Sequence, residues 1–542
     1  TPTINVGSAG GLTITGAIIG SAGFTKTGAG TLTISPTTPA SNTITGTITV
    51  SGAAGFGGAI AAGTFASPVS NGNILPGNGV SVPTIQVTAS GDWFAPYLAA
   101  QTRTIPNNFT GSGAVYYTAV GSSTITLSGD WSGLVGTNTA DASGFIANGN
   151  TTTTVAYSSL PATLLVGGSA TLGTFSITNN YTGTSTPTLR QIAVYNASGA
   201  ASMATSTLAF NSSGTLPVTM DLGISQTGTV VGTSPLRLGG TTTGNIVSGP
   251  VSGSIISITK QGTGSWYFNN ASNSYAGTTT VSAGTLGASG STAGTYFGTS
   301  AVSGSVSVTA GAAVELSGGL TVTKTSASLT LNGTGDGGNG ALRSTSGNNT
   351  YTASGYTLGS ATTIKVDADS LTLNSAGALI GGGFNLTKSG AGELILPQSS
   401  STYSGITTIS AGTLTAAKLA NVSAVSSIGQ PTTVANGTIS MAAGTTIKHN
   451  GTTADSTDRI ISLSAAGSLT IDSSGTGSGA VTLASGGSFT LPNGADTLIF
   501  TGTNSASNTC ARTIANPTTG TTALTKSGSN TWSFTGSMTH TG

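Results

Sequence analysis

The chain has 542 residues, of which 84 are glycine, 14 are Lys or Arg and 13 are Asp or Glu. Charged residues make up 5% of it, whereas an ordinary soluble domain has about 25%. The formal net charge of +1 comes without a basic cluster, which excludes a surface built to bind nucleic acid.

The composition favours strands over helices. Glutamate, a good helix former, occurs only at Glu315 and Glu393, whereas β-branched Thr and Val, which prefer strands, are abundant. A Gly/Ser/Thr bias can also mark a disordered linker, but Val, Ile and Leu alternate here with Thr and Ser throughout. We therefore predict an all-β chain.

Two further exclusions follow from single features. Cys510 is the only cysteine, so a disulfide framework and a multi-cysteine zinc site are excluded. No apolar stretch reaches the ~18 residues that a membrane helix needs. We expect no membrane insertion by this segment.

One eleven-residue pattern recurs along the chain: an apolar residue, Thr, Lys, a glycine turn, and then alternating residues. Its four copies are FTKTGAGTLTI (24–34), ITKQGTGSWYF (258–268), LTKSGAGELIL (386–396) and LTKSGSNTWSF (524–534). Two copies continue into a second half, NSYAGTTTVSAGTL (273–286) and STYSGITTISAGTL (401–414). A degenerate copy at about 320–331 places Lys324 midway between Lys260 and Lys388. This regular spacing indicates true repeats at about 258–286, 320–331, 386–414 and 524–542.

The pattern resembles the passenger-associated transport repeat of bacterial autotransporters. The resemblance covers 251–542 and roughly 1–60. It implies an extracellular, right-handed parallel β-helix, also called a β-solenoid.

Elementary packing predicts the same fold. One short strand pair cannot bury a core, but stacked rungs cover each other, and a rung of about 20 to 25 residues is typical of solenoid repeats. Because side chains alternate along a strand, five residues are predicted to point inward: Leu386, Leu394, Leu396, Ile409 and Leu414.

Three segments are predicted in chain order. Residues 1–85 form an N-terminal solenoid segment with one repeat, and 246–542 form the main solenoid. The repeat pattern is absent from 86–245, which has Trp93, Trp131 and several Pro. This stretch is interpreted either as a separate sandwich-like β-rich module or as an irregular part of the solenoid.

No cluster of side chains in the sequence supports catalysis. The tightest charged groups are Asp367 with Asp369, and Asp455 and Asp458 with Arg459, and a strand edge or a turn explains them better. Asp336 lies in GTGDGGNG, which weakly resembles a calcium repeat, but one copy supplies too few oxygen ligands. We therefore predict a protein that is not an enzyme and has no catalytic residue, metal or cofactor.

The repeat lysines are the most distinctive polar residues. Lys26, Lys260, Lys388 and Lys526 each end the same short strand. Our hypothesis is that each amine caps backbone carbonyls at a rung corner. The alternative is a solvated lysine that blocks stray strand pairing.

Two functional hypotheses remain. The first is an extracellular structural protein, a filament, stalk or sheath subunit of a bacterial surface. The second is a surface adhesin that binds a glycan or protein through 86–245, with Trp93 and Trp131 as ligand contacts.

The two ends of the sequence suggest how such a filament could form. The fourth repeat stops at Gly542, and 1–14 reads like its missing second half, so we predict a head-to-tail homopolymer. Its expected contacts are Thr3, Ile4, Val6, Leu12, Trp532, Phe534 and Gly542. The alternative is that the chain is a piece of a longer repetitive polypeptide.

Overall fold

A computed structural model shows the architecture of the chain. It describes 1–51 except 8–10, 17 and 35–43; chiefly the strands between 52 and 234; and 235–542 except 253–256, 300–303 and 376–379. The described chain divides into two compact units, Thr1–Asn270 with Ser274–Gly277, and Ala271–Asn273 with Thr278–Gly542.

The first unit consists of short strands. They are β1 Thr3–Asn5, β2 Gly11–Ile14, β3 Phe24–Thr27, β4 Thr31–Ile34, β5 Ile48–Val50, β6 Gly58–Ala62, β7 Ile85–Val87, β8 Asp92–Ala99, β9 Thr102–Ile105, β10 Phe109–Gly111, β11 Ala114–Val120, β12 Thr124–Leu127, β13 Gly133–Leu134, β14 Gly144–Asn148, β15 Thr153–Ala156, β16 Thr163–Gly167, β17 Thr174–Asn179, β18 Thr188–Leu189, β19 Gln191–Tyr195, β20 Thr207–Ser212, β21 Thr219–Met220, β22 Ile224–Thr227, β23 Pro235–Gly240, β24 Asn245–Val247, β25 Ser257–Lys260 and β26 Ser265–Phe268.

The strands of this unit stack in parallel ladders. One runs β1-β3-β5-β7-β10-β13 and another β2-β4-β6-β8-β11-β14-β16-β19-β22. Toward the end of the unit, β15-β17-β20-β23-β25 and β18-β21-β24-β26 continue the same arrangement. Within 86–245 the described strands therefore pair as an irregular solenoid would, although the proposed segment boundaries stay a prediction.

The second unit contains the longer strands. They are β27 Thr279–Val281, β28 Gly284–Ser289, β29 Ala293–Gly294, β30 Val306–Val308, β31 Ala312–Ser317, β32 Thr321–Gly333, β33 Leu342–Ser346, β34 Asn349–Val366, β35 Ser370–Ser375, β36 Ile380–Gly381, β37 Leu386–Ser389, β38 Glu393–Leu396, β39 Thr407–Ile409, β40 Thr413–Ala416, β41 Ile439–Met441, β42 Thr445–His449, β43 Asp455–Thr457, β44 Ile461–Leu463, β45 Ser468–Ser473, β46 Val481–Leu483, β47 Phe489–Thr490, β48 Gly494–Thr501, β49 Ser507–Cys510, β50 Gly520–Lys526 and β51 Thr531–Phe534.

From β37 to β51, the strands of this unit form three ladders. One ladder runs through β37-β39-β41-β44-β47, a second through β38-β40-β42-β45-β48-β50, and a third through β43-β46-β49-β51. All of these pairings are parallel. The predicted all-β solenoid is confirmed. The described helical structure is a 3-10 turn at Asp336–Gly338, and no described helix is long and apolar enough to span a bilayer.

The predicted inward residues form the core. Leu386, Leu394, Leu396, Ile409 and Leu414 are all 0% exposed. Backbone pairing aligns Leu386 with Thr407, as a rung of the expected length requires. The next step, from Thr407 to Ile439, is longer because the chain makes an excursion at 417–438 before it rejoins the ladder.

Successive rungs approach very closely at the repeat turn. Gly390 has φ of 78°, a left-handed conformation that glycine adopts without strain. A Cβ on Gly390 would lie 2.1 Å from the carbonyl oxygen of Val366 in the preceding rung. The Gly392 N–H donates to the same oxygen at 2.9 Å. The glycines of the repeat are therefore required by both backbone conformation and inter-rung contact.

We predict that Gly390→Ala destabilises the protein more than Gly444→Ala does. Gly444 has nearly the same φ, 80°, but no atom lies within 4 Å of the position that its Cβ would occupy. Gly444→Ala should therefore cost only the conformational strain, about 1 kcal/mol, and Gly390→Ala about 2–3 kcal/mol more. Urea unfolding of both variants measures the difference. Equal losses of stability in the two variants would show that Gly390 does not lie this close to the preceding rung.

Candidate functional site: the lysine turns

Each repeat lysine lies where its strand enters the glycine turn. In the third repeat, Lys388 is the last inward-pointing residue of β37, and its side chain is 0% exposed. The chain then turns through Ser389 and Gly390 and enters β38. An inward lysine at this position can reach carbonyl oxygens on its own turn without crossing the wall.

Lys388 makes three hydrogen bonds to backbone carbonyls. Its Nζ donates to the carbonyl oxygens of Ser389 at 3.0 Å, Gly390 at 2.7 Å and Ala411 at 2.9 Å. Ala411 belongs to the turn of the next rung, between β39 and β40. Because an ammonium has three donors, Lys388 uses all of them and ties two consecutive turns together.

The other repeat lysines share the contacts within their own turn. Lys260 Nζ donates to the carbonyls of Gln261 at 3.0 Å and Gly262 at 2.7 Å, and Lys26 Nζ donates to Gly28. Both are 0% exposed. Lys526 donates to Ser527 and, at 3.1 Å, to Gly528, but its side chain is exposed. These contacts are those that the capping hypothesis requires, and their contribution to stability stays a prediction.

Burial changes the proton affinity of two of these amines. It lowers the pKa of Lys388 to about 8, and the Asp367 carboxylate opposes that shift. Burial likewise lowers the pKa of Lys324, the lysine of the degenerate repeat, to about 8. Lys324 is 1% exposed and donates to the Thr299 carbonyl at 3.1 Å. These lysines are enclosed structural ties and cannot touch a ligand outside the wall.

The acidic pair Asp367 and Asp369 makes contacts within the wall. Asp367 contacts Arg343 Nε at 2.7 Å and Lys365 Nζ at 3.3 Å. Asp369 lies in a turn with φ of 55° and accepts the Gly347 N–H at 2.8 Å. Both carboxylates serve local structure.

Sequence reasoning missed the charged ladder to which Asp367 belongs. Backbone register places Glu315 beside Arg343, and Arg343 beside Lys365, on neighbouring rungs. Arg343 Nη1 contacts Glu315 Oε2 at 3.1 Å. Each partner lies a whole rung away along the chain, so only the register of the rungs could have revealed the ladder.

The second charged group of the sequence, Asp455 and Asp458 with Arg459, holds the excursion at 417–438. Arg459 is 1% exposed, and its guanidinium donates to the carbonyls of Ala420 at 3.1 Å, Ile428 at 2.6 Å and Gly429 at 2.7 Å. Asp455 accepts the Leu419 N–H at 2.9 Å. Burial lowers the pKa of Arg459. These charges fix a loop and do not line an open site.

Both histidines have polar partners. His449 Nε2 is 2.9 Å from Asp455 Oδ2 in the interior. His540 Nδ1 lies 3.0 Å from the Thr522 carbonyl. Asp336 accepts the Thr285 hydroxyl at 3.1 Å. Across the described residues, no group of three His, Cys, Asp or Glu side chains could hold a metal.

The residues expected to contact ligand are described only in part. Trp131 lies outside the described residues, and Trp93 is placed only as backbone in β8, beside Ala59 and Ala114. Their role as ligand contacts stays a prediction.

The residues expected at subunit contacts lie in the first and last rungs. Thr3 and Ile4 are in β1, Val6 is buried, and Leu12 in β2 is 41% exposed. In β51, Trp532 is 8% exposed and packs edge-on against Phe500, with centroids 4.9 Å apart, while Phe534 is half-buried. Gly542 is exposed beside Thr522. Contact between chains stays a prediction.

The repeat matches a known family of repeats. The passenger-associated-transport-repeat family model matches 24–54, 258–288, 386–416 and 524–542. The degenerate copy around Lys324 lies outside these ranges. The predicted resemblance is confirmed at the four full copies.

One curated relative extends the similarity beyond the repeats. The chain is 34% identical over 340 residues to the Adhesin BmaC autotransporter of Brucella suis biovar 1 (strain 1330). The match covers 62% of this chain and 9% of that adhesin, so the chain spans a small part of its relative's length. No solved structure matches.

We predict that Lys388→Met lowers stability by about 2 kcal/mol, because it removes the lysine donor from three carbonyls in half-buried turns. Lys526→Met is the matched control, since Lys526 is exposed and its carbonyl partners can turn to water. Thermal and urea unfolding measure both losses. A loss for Lys388→Met no larger than for Lys526→Met would contradict the tie between turns.

The lowered pKa of Lys388 predicts a pH dependence. Between about pH 8 and the ordinary lysine pKa of 10.5, the unfolded chain holds a proton that the folded chain has released. Stability therefore rises with pH in that window. The stability difference between the parent and Lys388→Met should widen from pH 7.5 to pH 10, measured by urea unfolding. A difference that stays constant or narrows would mean that the hydrogen bonds keep the amine charged in the folded chain.

Proposed function

We propose that this chain, a passenger-type protein with transport repeats, is part of a bacterial surface adhesin in which the solenoid acts as a stiff extracellular carrier. The observation that carries the proposal is the similarity to an autotransporter adhesin over most of the chain, outside the repeats as well as within them. Passenger-type proteins are exported, which supports a location at the cell surface or outside it.

The physical character of the wall supports a carrier role. Its rungs are joined by continuous parallel ladders, and lysine and arginine side chains are used as internal ties. With 14 Lys and Arg in 542 residues, the surface also offers few sites to trypsin-like proteases. A solenoid wall built in this way can carry a binding region outside the cell without a disulfide.

The adhesive region is proposed to lie in 86–245, through Trp93 and Trp131. Aromatic side chains are the usual anchors of binding surfaces. We propose a glycan or protein ligand on the host or neighbouring cell and no enzymatic activity.

We predict that the purified chain retains labelled epithelial cells or arrayed glycans on a surface and that Trp93→Ala lowers retention at least fivefold. Phe384→Ala is the matched control, since Phe384 is an aromatic that is 45% exposed in the second unit. Equal retention by all three proteins would remove Trp93 from the site, and no retention by the parent would refute adhesion by this chain.

A structural filament remains the second candidate, because residues 1–14 read like the second half of a transport repeat. A strand segment of this kind can be added to the strand edge of another chain. We predict that removing residues 1–14 abolishes any fibres seen by electron microscopy while the subunit stays folded. Fibres that persist after the deletion would refute end completion.

A further inference from the structure

The loop between β32 and β33 packs against the end of β34. Residues 334–341 form this loop. The Ala341 N–H donates to the Thr363 carbonyl of β34 at 2.9 Å. A Cβ on Gly340 would lie 2.9 Å from the Cβ of Lys365, two residues further along the same strand. The loop therefore lies directly against Lys365.

Polar side chains meet where the loop contacts this lysine. Lys365 Nζ donates to Asn339 Oδ1 at 2.9 Å and lies 3.3 Å from Asp367 Oδ1. The other oxygen of that carboxylate, Oδ2, accepts from Arg343 Nε at 2.7 Å. The side chains of Lys365 and Asp367 are 26% and 25% exposed. The amine thus contacts a carboxamide and a carboxylate at once, and Arg343 fixes which carboxylate oxygen faces it.

The loop holds the carboxamide of Asn339 in place. The Asn339 N–H donates to the Asp336 carbonyl at 3.0 Å, and the Gly340 N–H donates to the Thr334 carbonyl at 2.7 Å. An asparagine followed by glycine ordinarily reacts with the backbone nitrogen of that glycine, but here the glycine N–H is engaged in a hydrogen bond. The Lys365 amine is therefore the nucleophile that these contacts bring to the carboxamide.

We propose that Lys365 and Asn339 form an isopeptide bond, a covalent modification that ties the loop to β34. Asp367 takes a proton from the Lys365 ammonium, and the neutral Nζ attacks Cγ of Asn339. The Nζ–Cγ bond forms, the Cγ–Nδ2 bond breaks, and Nδ2 leaves as ammonia with a proton from Nζ. Asp367 then gives its proton to the ammonia, which departs as ammonium. The step joins one amine to one amide carbon and needs no oxidant or further reactant.

The fixed geometry makes up for the low reactivity of an amide. Groups held in a reactive arrangement behave as if one were present at an effective concentration of about 10⁵ M or more. The bond would join positions 26 residues apart in a chain whose single cysteine cannot form an internal disulfide. The reaction occurs once in each chain and turns over no substrate. The inference goes beyond adhesion and does not depend on it.

Peptide mapping of the purified full chain by mass spectrometry tests the bond. Trypsin should fail to cleave after Lys365 and should release residues 325–343 joined to residues 344–388, lighter by one ammonia than the two peptides together. Lys448 is the internal control and should be cleaved, because its Nζ lies 3.3 Å from a carboxylate and not from a carboxamide. Unlinked peptides alone, or an Asn339 converted to aspartate without a link, would overturn the proposal.

Variants test the role of each group. Asp367→Asn keeps the shape of the side chain but removes the proton acceptor, so the linked fraction should fall by roughly tenfold or more. Asp369→Asn is the matched control and should link as the parent does, because the Asp369 carboxylate accepts the Gly347 N–H at 2.8 Å instead. Urea unfolding checks that both variants are folded. Equal linkage in the two would overturn the assignment of Asp367.

A third variant tests the partner of the lysine without changing any charged side chain. Asn339→Ala removes the carboxamide, so trypsin should cleave after Lys365 and the joined peptide should disappear. If Lys365 stays blocked in this variant, the modification is not a bond to Asn339, and the proposal is wrong.

Discussion

Every rung of the described solenoid depends on backbone hydrogen bonds to the next rung. These bonds form only where the turns between strands let the two backbones approach closely. The repeat turn meets this requirement with glycine. At Gly390 the backbone of the preceding rung lies where a Cβ would be. The same oxygen that excludes a side chain, the Val366 carbonyl, accepts the Gly392 N–H. Close approach and hydrogen bonding are therefore one constraint, and it explains why glycine is so frequent in this chain.

Tight turns create a second requirement, a hydrogen-bond donor for their carbonyl oxygens, and the repeat lysines supply it. A tight turn leaves carbonyl oxygens in a half-buried position, and a carbonyl that loses water without gaining a donor is costly. Lys388 supplies three donors at this point and extends across to Ala411 in the next rung. The energetic cost is the burial of a charge, which lowers the pKa of Lys388 to about 8. Arg459 plays the same part in a longer segment, since its guanidinium donates to three carbonyls of the excursion at 417–438. A chain with few charges has placed several of them where neutral side chains offer too few donors.

The sequence predicted the features that depend on local pattern. Strand alternation identified Leu386 and Ile409 as core, and the repeat identified Lys388 and its turn. It could not predict features that depend on register between rungs, because rung length is not constant: the step from Thr407 to Ile439 is much longer than the step before it. For that reason the ladder Glu315–Arg343–Lys365 had no signal in spacing. Spacing grouped Arg459 with Asp455 and Asp458 but could not show that it is buried against carbonyls 30 to 39 residues away. The region 86–245 has no repeat to set its register, and the placement of Trp93 relative to any ligand stays beyond what pattern can give.

Lysine-selective nitrogen-15 NMR of the side-chain ammonium groups tests most directly whether enclosed lysines tie the turns together. At pH 6 and low temperature, Lys26, Lys260, Lys324 and Lys388 should give ammonium signals protected from solvent exchange, and the exposed Lys526 should exchange rapidly. The signal assigned to Lys388 should vanish in Lys388→Met while the others remain. If all lysine ammonium groups exchange at the rate of an exposed side chain, the amines are in water, and the account of the repeat turn is wrong.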